Sequence, residues 1–568
     1  MVTVKNRSKK LPLVKPLLLV LLASASPLVV AQTASNSVPN AGSILQQLQP
    51  LSPLVLPGSV GLTILQTDKT QLPAGVPFLV TSIQIIGNKK IDTATLHALV
   101  AEGEGKTLTL AQLEELSDRI TDYYRSHGYP LARAIIPAQT IQSGVVKIQV
   151  IVARYGKVML NNTSRVNDLL ITKTLAFLAP DQDIEQAALD RALLLVSDLA
   201  GVAVNSTLMP GAEVGASDLL VSTTPTKAIF GSINVDNYGS SFTGRARLGG
   251  TVNFVDPLNL KASDTLSLTG LSSGSGVNFG RMAYETVLNG NGTAVGGSLS
   301  ALRYTLGSSL AASNAYGSAQ IQSLWVRQPL VRSRNVNLYS QLQYDNVKLR
   351  DRIGDIKTDR HLGNLTLSLA GDARDDFVSG GINTWNVGVT TGRVDFDDTG
   401  AQLSNAATAN TQGHFSKWTT NLARQQGLSM NSSVYVSFVG QWTNKNLDPS
   451  QKMSMGGPYS VRAYNIGALS GDVGYFVTGE YRYGLGQAWD GQWQATAFVD
   501  SAQITVNKNT WVAGENSATL SGAGLGLNWT GPDQWSAKAY IAKPVGSVSV
   551  LVNTPKSTRL WIETRKGF

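Results

Sequence analysis

Through the C-terminal part of the chain, apolar and polar residues alternate one by one. In VNLYSQLQY, Val336, Leu338, Leu342 and Tyr344 fall on one face, and Asn337, Tyr339, Gln341 and Gln343 on the other. In VYVSFVGQW, Val434, Val436, Phe438 and Trp442 oppose Ser437 and Gln441. In AGLGLNW, Ala523, Leu525, Leu527 and Trp529 oppose Gly524, Gly526 and Asn528. A period of two is that of a strand with one face in an apolar medium and the other in a polar one. Such segments recur at roughly 20-residue spacing between Gly, Asn, Asp and Ser turns, with aromatic residues near strand ends. A β-sandwich also alternates. A polar inner face instead favours a membrane barrel, whose sheet must close so that lipid meets no unpaired backbone group. About 340 residues (227–568), at roughly 21 per strand and loop, predict sixteen antiparallel strands. The terminal LWIETRKGF fits an outer-membrane insertion signal: Leu560, Ile562 and Thr564 share a face, and Phe568 ends the chain. Lys566 interrupts that face.

Before residue 227 the period is helical, and it comes twice. FLVTSIQIIG reads as a strand, and Asp92 caps a helix in DTATLHALV. TLAQLEELSDRITDYYRSHG is a second helix, with a capping box from Thr109 and Gln112, a stripe of Leu113, Leu116, Ile120 and Tyr123/Tyr124, and Gly128 at its end. The strands LARAIIPAQ and VVKIQVIVA follow. The order β-α-α-β-β then recurs: strand YGKVML, helix VNDLLITKTLAFL, a helix capped by Asp183 and Gln186 and closed by Gly201, and strands VNSTLMPG and DLLVSTTP. An internal repeat carries more information than either copy. The expected organisation is α+β repeats over 78–153 and 154–226, followed by an all-β barrel over 227–568.

Ahead of the repeats, residues 32–77 are rich in Gln, Pro, Ser and Ala. NAGSILQQLQP predicts one short helix with Ile44, Leu45 and Leu48 on a side, and PLSPLVLPG an extended linker. Residues 1–31 have the form of an export signal: a basic start, the apolar LLLVLLASA, and a small residue at Ala31. Lys15, Pro16 and Pro27 keep the apolar run too short for a spanning helix. The net charge of +9 owes five to Lys5, Arg7, Lys9, Lys10 and Lys15. No dense basic run remains, so no nucleic-acid partner is expected. Charged residues are 15% of the chain, below the roughly 25% usual in soluble proteins, and there is no cysteine.

Four stretches, in order, resemble one family. HGYPLARAIIPAQTIQSGVVKIQVIVARYGKV (127–158) resembles the POTRA segment of the two-partner secretion transporters, the TpsB proteins. DNYGSSFTGRARLGGTVNFVDPLNL (236–260) resembles the opening of their barrel, GGPYSVRAYN their loop motif, usually VRGY, and FVDSA their F-x-D-x-G strand motif. Ala463 and Ala502 stand where the family has glycine. The resemblance implies a signal, a plug helix with its linker, two periplasmic POTRA domains and an outer-membrane barrel. It implies secretion of one large unfolded exoprotein, recognised through its N-terminal secretion domain, with lipid around the barrel and the barrel assembly machinery as partner in biogenesis. It also implies that the loop bearing Gly456, Gly457, Val461, Arg462 and Tyr464 folds into the lumen. There Arg462 would meet Asp500, on the strand that carries Phe498. A guanidinium–carboxylate fork is the contact suited to pinning a loop. On the residues alone, Arg462 could equally be a solvated loop arginine. Exoprotein contacts are expected on the first repeat at Leu131, Arg133, Ile135 and Ile136, where a strand edge would accept an extended chain.

No catalytic, metal or cofactor site is expected. GLSSG (270–274) fits G-x-S-x-G around Ser272, but no helix follows. His97, His127, His361 and His414 are scattered without metal-ligand spacing. GAGLG (522–526) reads as a strand with small lumenal residues rather than a dinucleotide loop. Two non-enzymatic alternatives are an outer-membrane protein assembly factor of the same superfamily and a passive porin. The repeats argue against the porin, and their number against the assembly factor.

Overall fold

A computed structural model describes residues 38–48, 61–64, 75–552 and 557–568. The expected export signal and most of the Pro-rich linker lie outside these residues. Sixteen antiparallel strands, from Ile229–Asp236 to Arg559–Gly567, form a closed barrel in sequence order. The seam between first and last strands is short: Ser232–Asp236 pairs with Gly567–Glu563. The alternation has the expected sense. Leu342, Tyr344, Val436, Trp442, Leu525, Leu560 and Ile562 are exposed on the outer wall, while Asn337, Ser437 and Gln441 are buried inside. Lys566 does not sit uncompensated on that wall. Its ammonium donates to the Asp533 carbonyl and lies 5.3 Å from the Trp535 ring centroid, in the turn before the penultimate strand. A long side chain at a strand end reaches out of the apolar band in this way.

Helix α1, Ala41–Leu48, lies in the lumen with Ala41, Ile44 and Leu45 buried. It packs on Leu302, Tyr304, Val347, Leu349 and Leu362 of the wall.

Two repeats precede the barrel. In the first, α2 (Thr93–Ala98) is capped by Asp92, and α3 (Leu110–Ser126) carries the expected Thr109–Gln112 capping box. Leu113, Leu116, Ile120 and Tyr124 pack on Ile83, Ile85, Val146 and Ile148 of a sheet ordered Ser82–Ile86, Val145–Ile151, Arg133–Ile135. The edge strand expected over 131–139 is only Arg133–Ile135. Leu131 is not free for a partner: it packs against the core of the second repeat. In the second repeat, α4 (Asp168–Leu175) and α5 (Gln186–Ser197) cover the sheet. The cap of α5 differs from expectation. Glu185 holds the cap position without a side-chain bond, because Asp183 is engaged elsewhere, 3.1 Å from Lys90 and 3.5 Å from Arg154. That contact to Lys90 also joins the two repeats.

The linker contains a strand the sequence reading did not foresee. Gly61–Ile64 pairs in parallel with Val202–Pro210 and becomes the outer member of the second sheet, followed by Ala216–Pro225 and Arg154–Asn162. The second repeat is bolted to the barrel. Asp198 accepts two hydrogen bonds from Arg332, both 2.7 Å, and Asp190 accepts one from Arg334 at 2.7 Å. Arg332 and Arg334 flank the turn after strand Ala315–Arg332, so this is the repeat-facing rim.

Candidate functional site in the barrel lumen

The connection between strands Ser432–Thr443 and Val473–Ala488 arises at the opposite rim and folds back into the barrel. Its tip is a tight turn. Gly457 N–H donates to the Tyr464 carbonyl (3.0 Å) and Gly456 N–H to the Ser460 hydroxyl (2.8 Å). Both glycines have φ of +99°, and a Cβ on Gly456 would stand 2.1 Å from the Asn465 carbonyl oxygen, so only glycine fits. Val461, Ala463 and Tyr464 are buried against Phe476, Phe498, Ala502, Leu520 and Ala542 of the wall.

This packing delivers Arg462 to Asp500. Nε and Nη2 donate to the two carboxylate oxygens at 2.9 and 2.7 Å, and the Arg462 backbone N–H adds a third bond at 3.0 Å. Arg462 is 5% exposed and Asp500 0%. Pairing register explains the fit. Asp500 lies between Thr478 on one neighbouring strand and Gly522 on the other. The Thr478 hydroxyl donates to Asp500 (2.8 Å) and accepts from Arg462 Nη2 (3.0 Å). Gly522 leaves space on the other side: a Cβ there would stand 2.4 Å from the Ala463 methyl. The alanine in place of the family glycine is thus accommodated by a bare position on the wall, and neither Ala463 nor Ala502 has a positive φ.

Sequence reasoning missed the rest of the network. Glu480 accepts from Arg462 Nη1 at 2.7 Å and from Arg482 at 2.6 Å. The Phe498 ring lies flat under the guanidinium, 3.4 Å from its centroid, a cation–π contact away from water. Trp561 of the last strand donates its indole N–H to the Arg462 carbonyl at 2.7 Å. Tyr459 of the loop meets Tyr238, beside the first strand, edge to face at 5.5 Å. The loop therefore grips both sides of the seam.

A second lock lies deeper in the same loop. Arg360 donates to Asp351 (2.7 Å) and to Asp448, all three being buried. Asp351 also accepts from Tyr304 and from the first N–H of α1, at Ala41, both at 2.7 Å. Asp448 accepts from Ser450, whose carbonyl takes a bond from Gln46 of α1. Gly42 fits tightly against the loop, since a Cβ would stand 2.6 Å from Ser450 N. One wall strand pair, one helix and one loop thus share three charges. Nothing in the sequence marks them, because Asp351 and Arg360 belong to RDRIGDIKTDR, which reads as a solvated hairpin tip. Arg360→Ala would leave two carboxylates facing each other, and removing one partner of buried pairs costs about 3–5 kcal/mol. The expected result is faster proteolysis at residues 41–48 and 444–452 in a barrel that still resists unfolding. Unchanged cleavage in limited proteolysis would show that this cluster holds neither element.

The residues expected at the first repeat are not brought together. Arg133 and Ile135 are exposed on the short edge strand, Ile136 packs into the first core, and Leu131 faces the second.

Residues 78–152 match the family described as POTRA domain, ShlB-type. Residues 215–529, more than half of the chain, match haemolysin secretion/activation protein ShlB/FhaC/HecB. The heme/hemopexin transporter protein HuxB of Haemophilus influenzae is 26% identical over 514 residues, covering 88% of each chain. The structure of CdiB from Escherichia coli superposes with a TM-score of 0.68 at 20% identity, covering 93% of this chain and 95% of that one. BamA from Haemophilus ducreyi lacking POTRA domains 1–3 gives 0.51 at 15% identity, over 86% and 100%.

Proposed function

Because this chain belongs to the haemolysin secretion/activation family ShlB/FhaC/HecB, whose members are outer-membrane transporters of two-partner secretion, we propose that its lumen is a gated path for one unfolded exoprotein. The barrel lies in the outer membrane with its POTRA domains in the periplasm. The observation that carries the gating is that the chain fills its own pore. Helix α1 and the loop occupy the lumen, and a polar cavity of about 840 Å³, lined by Asp236, Arg247, Arg281, Asp345 and Lys417 among others, remains between them and the wall. That is the size of a small-ligand pocket. A polypeptide passes only after the helix leaves and the loop shifts. The partner is a large exoprotein whose N-terminal secretion domain meets the POTRA pair while still extended, through exposed Arg133 and Ile135 on the first repeat. Backbone pairing at a sheet edge demands little of the incoming sequence.

Planar-bilayer recordings test the gate. Removing residues 41–48 is expected to raise single-channel conductance several-fold, since the helix occupies cross-section that ions would use. A conductance equal to that of the intact chain would reduce α1 to a tether.

A further inference from the structure

On part of the outer wall the lipid-facing band stops well short of the strand ends, and the surplus is charged. The strands Ala315–Arg332 and Val336–Ile353 have 18 residues each, and Ile356–Asp375 has 20. At the tilt of barrel strands 18 residues rise about 45 Å, whereas the apolar band is about 25 Å tall. The excess stands at the end away from the repeats, hence at the cell surface. Exposed Leu342 and Tyr344 are the last apolar residues on one strand, and Leu324 on its neighbour. Beyond them, outward positions hold Lys348, Arg350 and Arg352 on the first strand, and Gln320 and Ser318 on the second. Most carboxylates nearby are already taken. Asp359 is forked by Arg352, Asp395 is held by Arg393 at 2.9 Å, and Asp397 by His361 at 2.8 Å. Arg303, Lys348, Arg350 and Lys357 are exposed and, among the described residues, pair with no carboxylate. Asp355, in the hairpin tip, offsets one of the four. The remainder calls for an anion from outside the chain.

We propose that this patch binds the phosphorylated glycolipid of the outer leaflet, with Arg303, Lys348 and Arg350 gripping phosphate and the bare wall beside Arg303 taking an acyl chain. Register sets the grip. Arg303 faces Ser318, and Ser318 faces Arg350. The two guanidiniums thus spring from backbones two strand spacings apart, about 10 Å, with a hydroxyl between them. Lys348 stands two residues along from Arg350 and faces Gln320. Long cationic side chains rooted in this way converge on a phosphate, and a guanidinium matches phosphate oxygens in geometry as well as charge. What adjoins the cations makes the occupant a lipid rather than a soluble phosphate. Gly250, Gly270, Gly280 and Ala301 stand in register on four successive strands. They floor an apolar depression of about 750 Å³ on the outer wall, which reaches Asn278 and Arg303. A Cβ on Gly270 or Gly280 would meet nothing within 4 Å, so the space above them is open. A hydrocarbon chain lying there brings its headgroup to the guanidinium. The site needs only the barrel's place in the outer membrane and is independent of what passes through the lumen.

Native mass spectrometry of the full-length chain in detergent, titrated with bisphosphorylated lipid A, reads the site. Each protein is first checked as a heat-modifiable barrel. The parent is expected to retain one lipid A with an affinity at least about tenfold above that of Arg303→Gln/Lys348→Gln/Arg350→Gln. A variant losing the same charge on the first repeat, Lys89→Gln/Lys106→Gln/Lys147→Gln, should bind as the parent does. Lipid A stripped of its phosphates should bind the parent no better than the intact lipid binds the first variant. Gly280→Leu fills the depression with all three cations in place, and should weaken binding about fivefold, the worth of one or two buried methylenes. Inorganic phosphate at millimolar concentration should not displace the lipid. Equal retention by the parent and the Arg303/Lys348/Arg350 variant overturns the site, and an equal loss in the first-repeat variant reduces it to bulk charge. Displacement by inorganic phosphate, or unaltered retention by Gly280→Leu, overturns the lipid as its occupant.

Discussion

Arg462→Ala is expected to abolish export of the co-expressed exoprotein while leaving a barrel that inserts and remains heat-modifiable. The reason lies in what the substitution strands. Asp500 is fully buried and loses three of its four hydrogen-bond donors: two guanidinium N–H groups directly, and the Arg462 backbone N–H as the loop shifts. Removing one partner of a buried pair costs about 3–5 kcal/mol, small beside the stability of a closed barrel but enough to move a loop between two positions. Asp500→Ala should be milder, because Arg462 keeps Glu480 at 2.7 Å. The double variant should lose little beyond Arg462→Ala, since residues in one network do not act additively. Lysine at 462 should rescue poorly. An ammonium cannot reach Asp500 in two prongs, Glu480 and Thr478 at once, nor lie flat on Phe498. Export assays of the four proteins decide the matter. Additive losses, or normal export by Arg462→Ala, would remove this arginine from the gate.

Deletion of residues 78–153 should be as severe by a different route. The barrel should still assemble, because the contacts of Asp190 and Asp198 to its rim belong to the second repeat and survive. Export should fall by at least about a hundredfold if the first domain captures the incoming chain. The deletion also uncovers the second core, where Leu131 packs. A gentler variant therefore accompanies it. Ile135→Asp changes only an exposed side chain of the edge strand and keeps its ladder to Val145–Ile151. It should reduce export about tenfold and leave α1 as protease-resistant as before. Normal yield from both variants would place recognition elsewhere.

The barrel was legible because a period of two, repeated with turns, has few other physical meanings, and the repeats because the first presented helices with real caps and the second the same order of elements. What escaped the sequence depends on register between distant strands. Thr478, Asp500 and Gly522 lie side by side only once three strands are aligned, and Trp561 reaches Arg462 only because the barrel closes. Arg462 and Asp500 themselves were legible through motif resemblance, not through alternation. Gly61–Ile64 was hidden by its Pro-rich surroundings, since a four-residue strand that borrows its sheet has no period of its own to show. Asp183 read as a cap because sequence spacing cannot reveal that Lys90 and Arg154 already claim it.

The berth of α1 is half wall and half loop: Gly42 and Gln46 meet Ser450, and Gln47 meets Gly467. The outer membrane protects the cell as a barrier to small toxic solutes, and a hole wide enough for a polypeptide defeats it. Two independent stoppers would each come out on their own schedule, and every partial opening would admit antibiotics and detergents. Stoppers that form each other's seat fall out of place together and seldom, so a cell carrying this transporter idle keeps its resistance to such compounds.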